Sequence, residues 1–139
     1  MKWVALVLWL ITAGGGFAML GIWLARGGLR QSGPRRIRTP LIFAHFLLAA
    51  TGLVLWIVYV AGDSSTVAWI AFALLLAVAL LGFTMLAVWL SQRRGEPAAT
   101  SSDRPAEQHF PVPIVALHGL LAAATLVVVL LAAAGVGGS

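Results

Sequence analysis

Two histidines, His45 and His118, lie inside long apolar stretches that hold no Asp, Glu, Lys or Arg. An imidazole in such surroundings is costly to desolvate and reads first as a metal ligand or a cross-helix hydrogen-bonding group. The third histidine, His109, stands in a polar segment near Pro111 and reads as solvated. Cysteine is absent, which excludes disulfides, thiolate metal sites, iron–sulfur clusters and covalent c-type haem attachment. The acidic residues Asp63, Glu96, Asp103 and Glu107 all fall outside the apolar stretches. A hydrolase is therefore not expected, and carboxylate-dependent ion transport is disfavoured.

The elements that hold the two imidazoles are written in the composition. Of 139 residues, 61% are hydrophobic and 9% charged, against about 25% charged in an ordinary soluble domain. The mean hydropathy is +1.01. A soluble domain and a disordered tail are both excluded. The net charge of +5 comes from loop arginines, so it reads as membrane topology, and no nucleic-acid partner is expected. Four apolar runs, over residues 3–25, 40–62, 66–90 and 113–136, each exceed the roughly 20 residues a helix needs to cross a bilayer. Their continuous apolarity favours helices over barrel strands, which alternate. The expected fold is an all-α integral membrane protein, one four-transmembrane-helix bundle over residues 1–139.

Charge sets the expected direction. Between runs 1 and 2 lie Arg26, Arg30, Arg35, Arg36 and Arg38 with no acid, and between runs 3 and 4 lie Arg93, Arg94 and Arg104 with Glu96, Asp103 and Glu107. Excess Lys and Arg marks the cytoplasmic side. The expectation is a multi-pass protein of a bacterial inner membrane, with both basic loops inside and both termini outside. Lys2 opposes this weakly. The longer second loop, with Pro97, Ser101, Ser102 and Pro105, reads as flexible.

The chain also reads as a tandem duplication, repeat 1 about 1–62 and repeat 2 about 66–136. At an offset of 73 residues Pro40 meets Pro113, His45 meets His118, and Leu47 to Ala50 meet Leu120 to Ala123. At an offset of 66, Gly16, Phe17, Met19, Leu20, Trp23 and Leu24 meet Gly82, Phe83, Met85, Leu86, Trp89 and Leu90. Two helical hairpins of the same orientation imply a pseudo-two-fold along the membrane normal. Run 1 must then be a true span and not a cleaved signal peptide.

Helical rise places His45 about 10 Å from Arg38, Met19 about 10 Å from Arg26 and Met85 about 12 Å from Arg93, so these residues and His118 share one layer. In a bundle of consecutive antiparallel neighbours, runs 2 and 4 face each other on a diagonal of about 11–14 Å. A haem with two axial histidines, His45 and His118, fits that gap. Small residues beside each histidine leave room for a flat ligand: Ala49 and Gly52 in run 2, Ala122 and Thr125 in run 4, and Gly16 and Gly82 in runs 1 and 3. Arg38 and its neighbours stand ready for propionates. The tryptophans near the span ends, Trp3, Trp23 and Trp89, read as interface anchors, and Trp9, Trp56 and Trp69 as packing against lipid or a partner.

With this histidine pair the chain resembles the four-helix b-type membrane cytochromes, in which axial histidines project inward from bundle helices. The resemblance covers the whole chain as an architecture and is specific at two residues. It implies one non-covalent haem b and electron transfer, with a quinone or a redox partner protein, and an electron carrier or subunit in place of a stand-alone enzyme. Two other readings stay open. One is a cofactor-free structural or accessory subunit of a larger membrane complex, such as a respiratory one; assembly as a homo-oligomer is open in each reading. The other is a copper site of His45, His118, Met19 and Met85, since thioethers and imidazoles suit Cu(I).

Overall fold

The computed structural model describes residues 1–31, 36–94 and 104–137. Arg35 of the first basic loop, Glu96, Pro97, Ser101, Ser102 and Asp103 of the second, and Gly138 and Ser139 lie outside the described residues. Among the described residues there are four α-helices: α1 (Lys2–Ala25), α2 (Thr39–Gly62), α3 (Ser65–Arg94) and α4 (Val112–Ala133). All four are long and apolar enough to cross a membrane. Two short 3₁₀ turns, Gly28–Arg30 and Ala106–His109, lie in the connections.

The helix ends follow local chemistry. Proline occupies the first turn of both α2 and α4, where its missing N–H costs nothing. Gly27 takes a left-handed φ of 74° just past α1, and Asp63 one of 53° just past α2, so each chain turns away without extending its helix. Gly135 does the same after α4, which stops at Ala133, earlier than the apolar run suggests. In contrast, α3 runs on through Arg94. Arg93 lies over the Trp89 ring at 4.9 Å, and Gln92 is buried, so polar residues are held in helix by contacts that hydropathy does not register.

Packing sets the order around the bundle. Helix α1 lies against α4 and α2, and α3 lies against α2 and α4. That leaves α2 facing α4 across the diagonal, as consecutive antiparallel neighbours require. Where the termini and the α2–α3 turn meet, Lys2 pairs with Asp63, and Trp56 Nε1 donates to Lys2 O at 3.2 Å. The lone base at this end is thereby neutralised.

Buried side chains fall into two separate groups. One lies toward the termini and centres on Trp9 and Trp56, with ring centroids 6.3 Å apart, packed with Ala5, Val60, Ala68, Ala71, Leu75 and Val129. The second caps the arginine-rich end and holds Trp23, Ile37, Trp89, Gln92, Ala106 and Glu107. Trp23 and Trp89 are therefore interior residues and not interface anchors. An added Cβ on Gly28 would lie 2.2 Å from the Trp23 ring, so glycine there admits the indole. Trp9 and Trp56 face the core as well, while Trp3 and Trp69 remain exposed. Many large apolar side chains, Phe83 and Leu120 among them, point outward, which suits contact with lipid.

Candidate functional site

Between the two buried groups the packing is interrupted. No residue of 13–22 in α1, 39–51 in α2, 79–88 in α3 or 112–124 in α4 is buried. The interruption spans ten residues of α1, about 15 Å of helix, and it occurs at one level in all four helices. His45 and His118 both belong to this layer.

His45 on α2 and His118 on α4 meet across the bundle with ring centroids 6.5 Å apart and ring planes at 58°. Each ring is fixed from behind. His45 Nδ1 lies 3.0 Å from Val78 O of α3, and His118 Nδ1 lies 2.9 Å from Thr12 O of α1. A carbonyl oxygen only accepts, so each Nδ1 carries the proton and donates it, and Nε2 of the neutral ring keeps its lone pair. This is the tautomer in which a histidine ligates through Nε2.

Glycine lets both rings approach the neighbouring backbone. A Cβ on Gly82 would stand 3.3 Å from His45 Cε1, and one on Gly16 would stand 3.3 Å from His118 Cε1. Gly15 adds a second close approach, 3.4 Å from His118 Nδ1. The two arrangements correspond by number. His45 and His118 are 73 apart, while Thr12 and Val78, like Gly16 and Gly82, are 66 apart.

The structure thus brings His45, His118, Gly16 and Gly82 together. Ala49 and Ala122 lie one turn further along the histidine helices, half-buried in the same layer. Gly52 and Thr125 sit at its border with the core. Gly52 accommodates the Trp9 indole, which would be 3.1 Å from an added Cβ. The Thr125 hydroxyl faces that of Thr12 at 3.1 Å, and each also reaches the carbonyl four residues back. Met19 and Met85 are half-buried, one turn beyond Gly16 and Gly82 toward the arginines. Arg38 is exposed at the start of α2, where its carbonyl receives Leu41 N at 2.9 Å. Among the described residues no group of three or more His, Asp, Glu or Cys is placed to share a metal ion.

An apolar cleft of about 190 Å³ opens between α1 and α4, lined by Ile11, Gly15, Ala18, Ile114, Leu117, His118 and Leu121. At the arginine-rich end lies a polar cluster that sequence reasoning passed over. Glu107 is 1% exposed. Its Oε1 accepts from Ile37 N at 3.1 Å and from Gln92 Nε2 at 2.8 Å, and its carbonyl accepts from Trp89 Nε1 at 3.0 Å. Gln108 Nε2 donates in turn to Gln92 Oε1 at 2.8 Å. His109, expected in solvent, is half-buried with Nδ1 3.2 Å from Pro105 O. The signals that point to the missed partners are weak: the repeat offset relates Thr12 to Val78, and no pattern singles out Glu107.

Compared with protein families, with curated proteins and with solved structures, the chain matches none.

Proposed function

We propose that the protein is a small membrane-embedded b-type cytochrome that holds one haem between α2 and α4 and passes electrons. The facing pair of imidazoles carries this reading. Two imidazoles bound to one metal through bonds of about 2.0 Å hold their centroids roughly 6 Å apart, and the observed separation is 6.5 Å. Haem needs only two ligands from protein because the porphyrin supplies the other four. A bare ion needs more donors than two imidazoles; among the described residues no further His, Cys, Asp or Glu joins the pair, which leaves the thioethers of Met19 and Met85 to a copper site. The interrupted packing at the histidine level suits a large flat group.

In this reading His45 and His118 would hold the haem iron through Nε2, and Val78 O and Thr12 O hold their Nδ1 protons and ring orientations. Gly16 and Gly82 let the rings sit close to α1 and α3, and Ala49 and Ala122 keep bulk away. Held by two histidines, a haem would supply reversible one-electron chemistry and would not favour oxygen binding. The buried Trp9–Trp56 core keeps water from one side of the layer and the Glu107 cluster from the other. Arg38 lies about two turns from His45, at the end where carboxylates of the group would find counter-charge.

The sequence repeat supports a pseudo-two-fold in which His45 and Val78 exchange with His118 and Thr12. The arginine-rich end is cytoplasmic in this proposal, both termini are outside, and a quinone or a redox protein exchanges the electron. Purified His45→Ala and His118→Ala variants are each expected to retain less than about a tenth of the haem of the unsubstituted chain, consistent with loss of one axial bond. Equal haem content with unchanged spectra would remove the ligand assignment.

A further inference from the structure

The cleft between α1 and α4 has a position and a polarity that the histidine pair does not explain. Its wall on α1 is Ile11, Gly15 and Ala18, spaced i, i+4, i+7 along one helix face. The same face continues through Ile22 to Arg26, whose N–H is bonded to Ile22 O at 2.9 Å and so prolongs the spiral. Arg26 is exposed and lies about 12 Å beyond Ala18, within the roughly 15 Å depth of one leaflet. The 3₁₀ turn Ala106–His109 packs against α1 and α3, which brings the neighbouring exposed Arg104 to the same end of the bundle as Arg26.

Among the described residues the charge at that end is one-sided; Glu96 and Asp103 lie outside them. Arg26, Arg30, Arg36, Arg38, Arg93, Arg94 and Arg104 are all described there, while the acid beside them, Glu107, is buried and turned inward. The other described acid, Asp63, is at the opposite end with Lys2. The opposite seam, between α2 and α3, differs. Sixty-six residues on, Gly15, Ala18 and Arg26 are replaced by Leu81, Thr84 and Gln92, and Gln92 is buried. Small side chains below an arginine thus occur on the α1–α4 side alone of the two.

We infer that this cleft is a binding site for one anionic phospholipid, an acyl chain lying against Gly15 and Ala18 and the phosphate held by Arg26 and Arg104. A guanidinium pairs with a phosphodiester through parallel N–H···O bonds. The acyl chain adds dispersion contact along a face that lacks side-chain bulk. It also covers the edge of His118 next to Gly15, screening the Nδ1–Thr12 bond. The site stands on the cleft and the arginines, and it does not require haem.

The test is native mass spectrometry of the full chain released from detergent after titration with dioleoyl-phosphatidylglycerol or dioleoyl-phosphatidylcholine. The glycerol lipid is expected to remain bound at a concentration on the order of tenfold lower than the choline lipid. Arg26→Gln with Arg104→Gln removes that preference, and Ala18→Leu, which fills the cleft, weakens both lipids. Circular dichroism of each variant checks that the helices persist. Equal retention of the two lipids by the unsubstituted chain overturns the site, as does phosphatidylglycerol binding unchanged in both variants. Haem absorbance read on the same samples separates the two proposals: a lipid preference without haem supports this site and contradicts the cytochrome, and haem without preference does the reverse.

Discussion

At the scale of single residues, glycine carries as much of the candidate site as histidine does. A methyl group at Gly82 or Gly16 would press on the Cε1 of an imidazole from 3.3 Å, whereas one at Gly14 meets nothing within 4 Å. Overpacking of this kind costs about 1–3 kcal/mol and would displace the ring from the position that the proposed haem requires. Gly82→Ala is therefore expected to lower haem retained per chain by roughly fivefold or more, with Gly14→Ala unchanged, read as the haem-to-protein ratio after purification. Equal ratios for all three chains would mean the rings tolerate displacement. The histidines were legible in the sequence because a polar side chain inside an apolar run stands out. Their carbonyl partners were not, because any residue offers a carbonyl, and only the fold decides that those of Thr12 and Val78 face a ring.

At the scale of elements, the four helices could be read from hydropathy alone, since each is an apolar run longer than a bilayer needs. What hydropathy misread was their ends. The inward turn of Trp89 near the end of α3 goes with the Ala106–His109 turn packing against α1 and α3, and Trp23 turns inward against Gly28. Glu107 is the latch of that fold: it joins Ile37 of the first connection to Gln92 of α3, and Trp89 donates to its carbonyl. Removing the carboxylate takes away the buried oxygen that accepts from Ile37 N and Gln92 Nε2, at a cost of about 1–3 kcal/mol. Glu107→Ala should lower the thermal unfolding midpoint in detergent, followed by circular dichroism, and Glu107→Gln, which keeps an oxygen in place, should lower it less. An Ala variant as stable as the unsubstituted chain would show that the latch contributes nothing.

At the scale of the whole molecule, the order of helices around the bundle turns two distant histidines into a facing pair. The sequence left that order open, because loop lengths permit more than one arrangement; the α1–α4 contact, with Thr12 against Thr125, closes the ring. The proposed direction in the membrane can be tested cleanly, since the chain has no cysteine of its own. In intact cells Ser64→Cys, on the exposed α2–α3 turn, should react with an impermeant maleimide. Leu29→Cys, exposed beside the arginines, should react only after permeabilisation. The reverse pattern would place the basic loops outside.

The central claim is that His45 and His118 share one haem iron. Its most direct test is the absorption spectrum of the detergent-purified chain, oxidised and then reduced with dithionite, together with a pyridine haemochromogen assay. The account predicts a Soret band that sharpens and shifts on reduction, resolved α and β bands, and about one haem b per chain. A protein that stays colourless when haem is supplied during expression would contradict it, and would leave the two imidazoles as packing groups held by Thr12 and Val78.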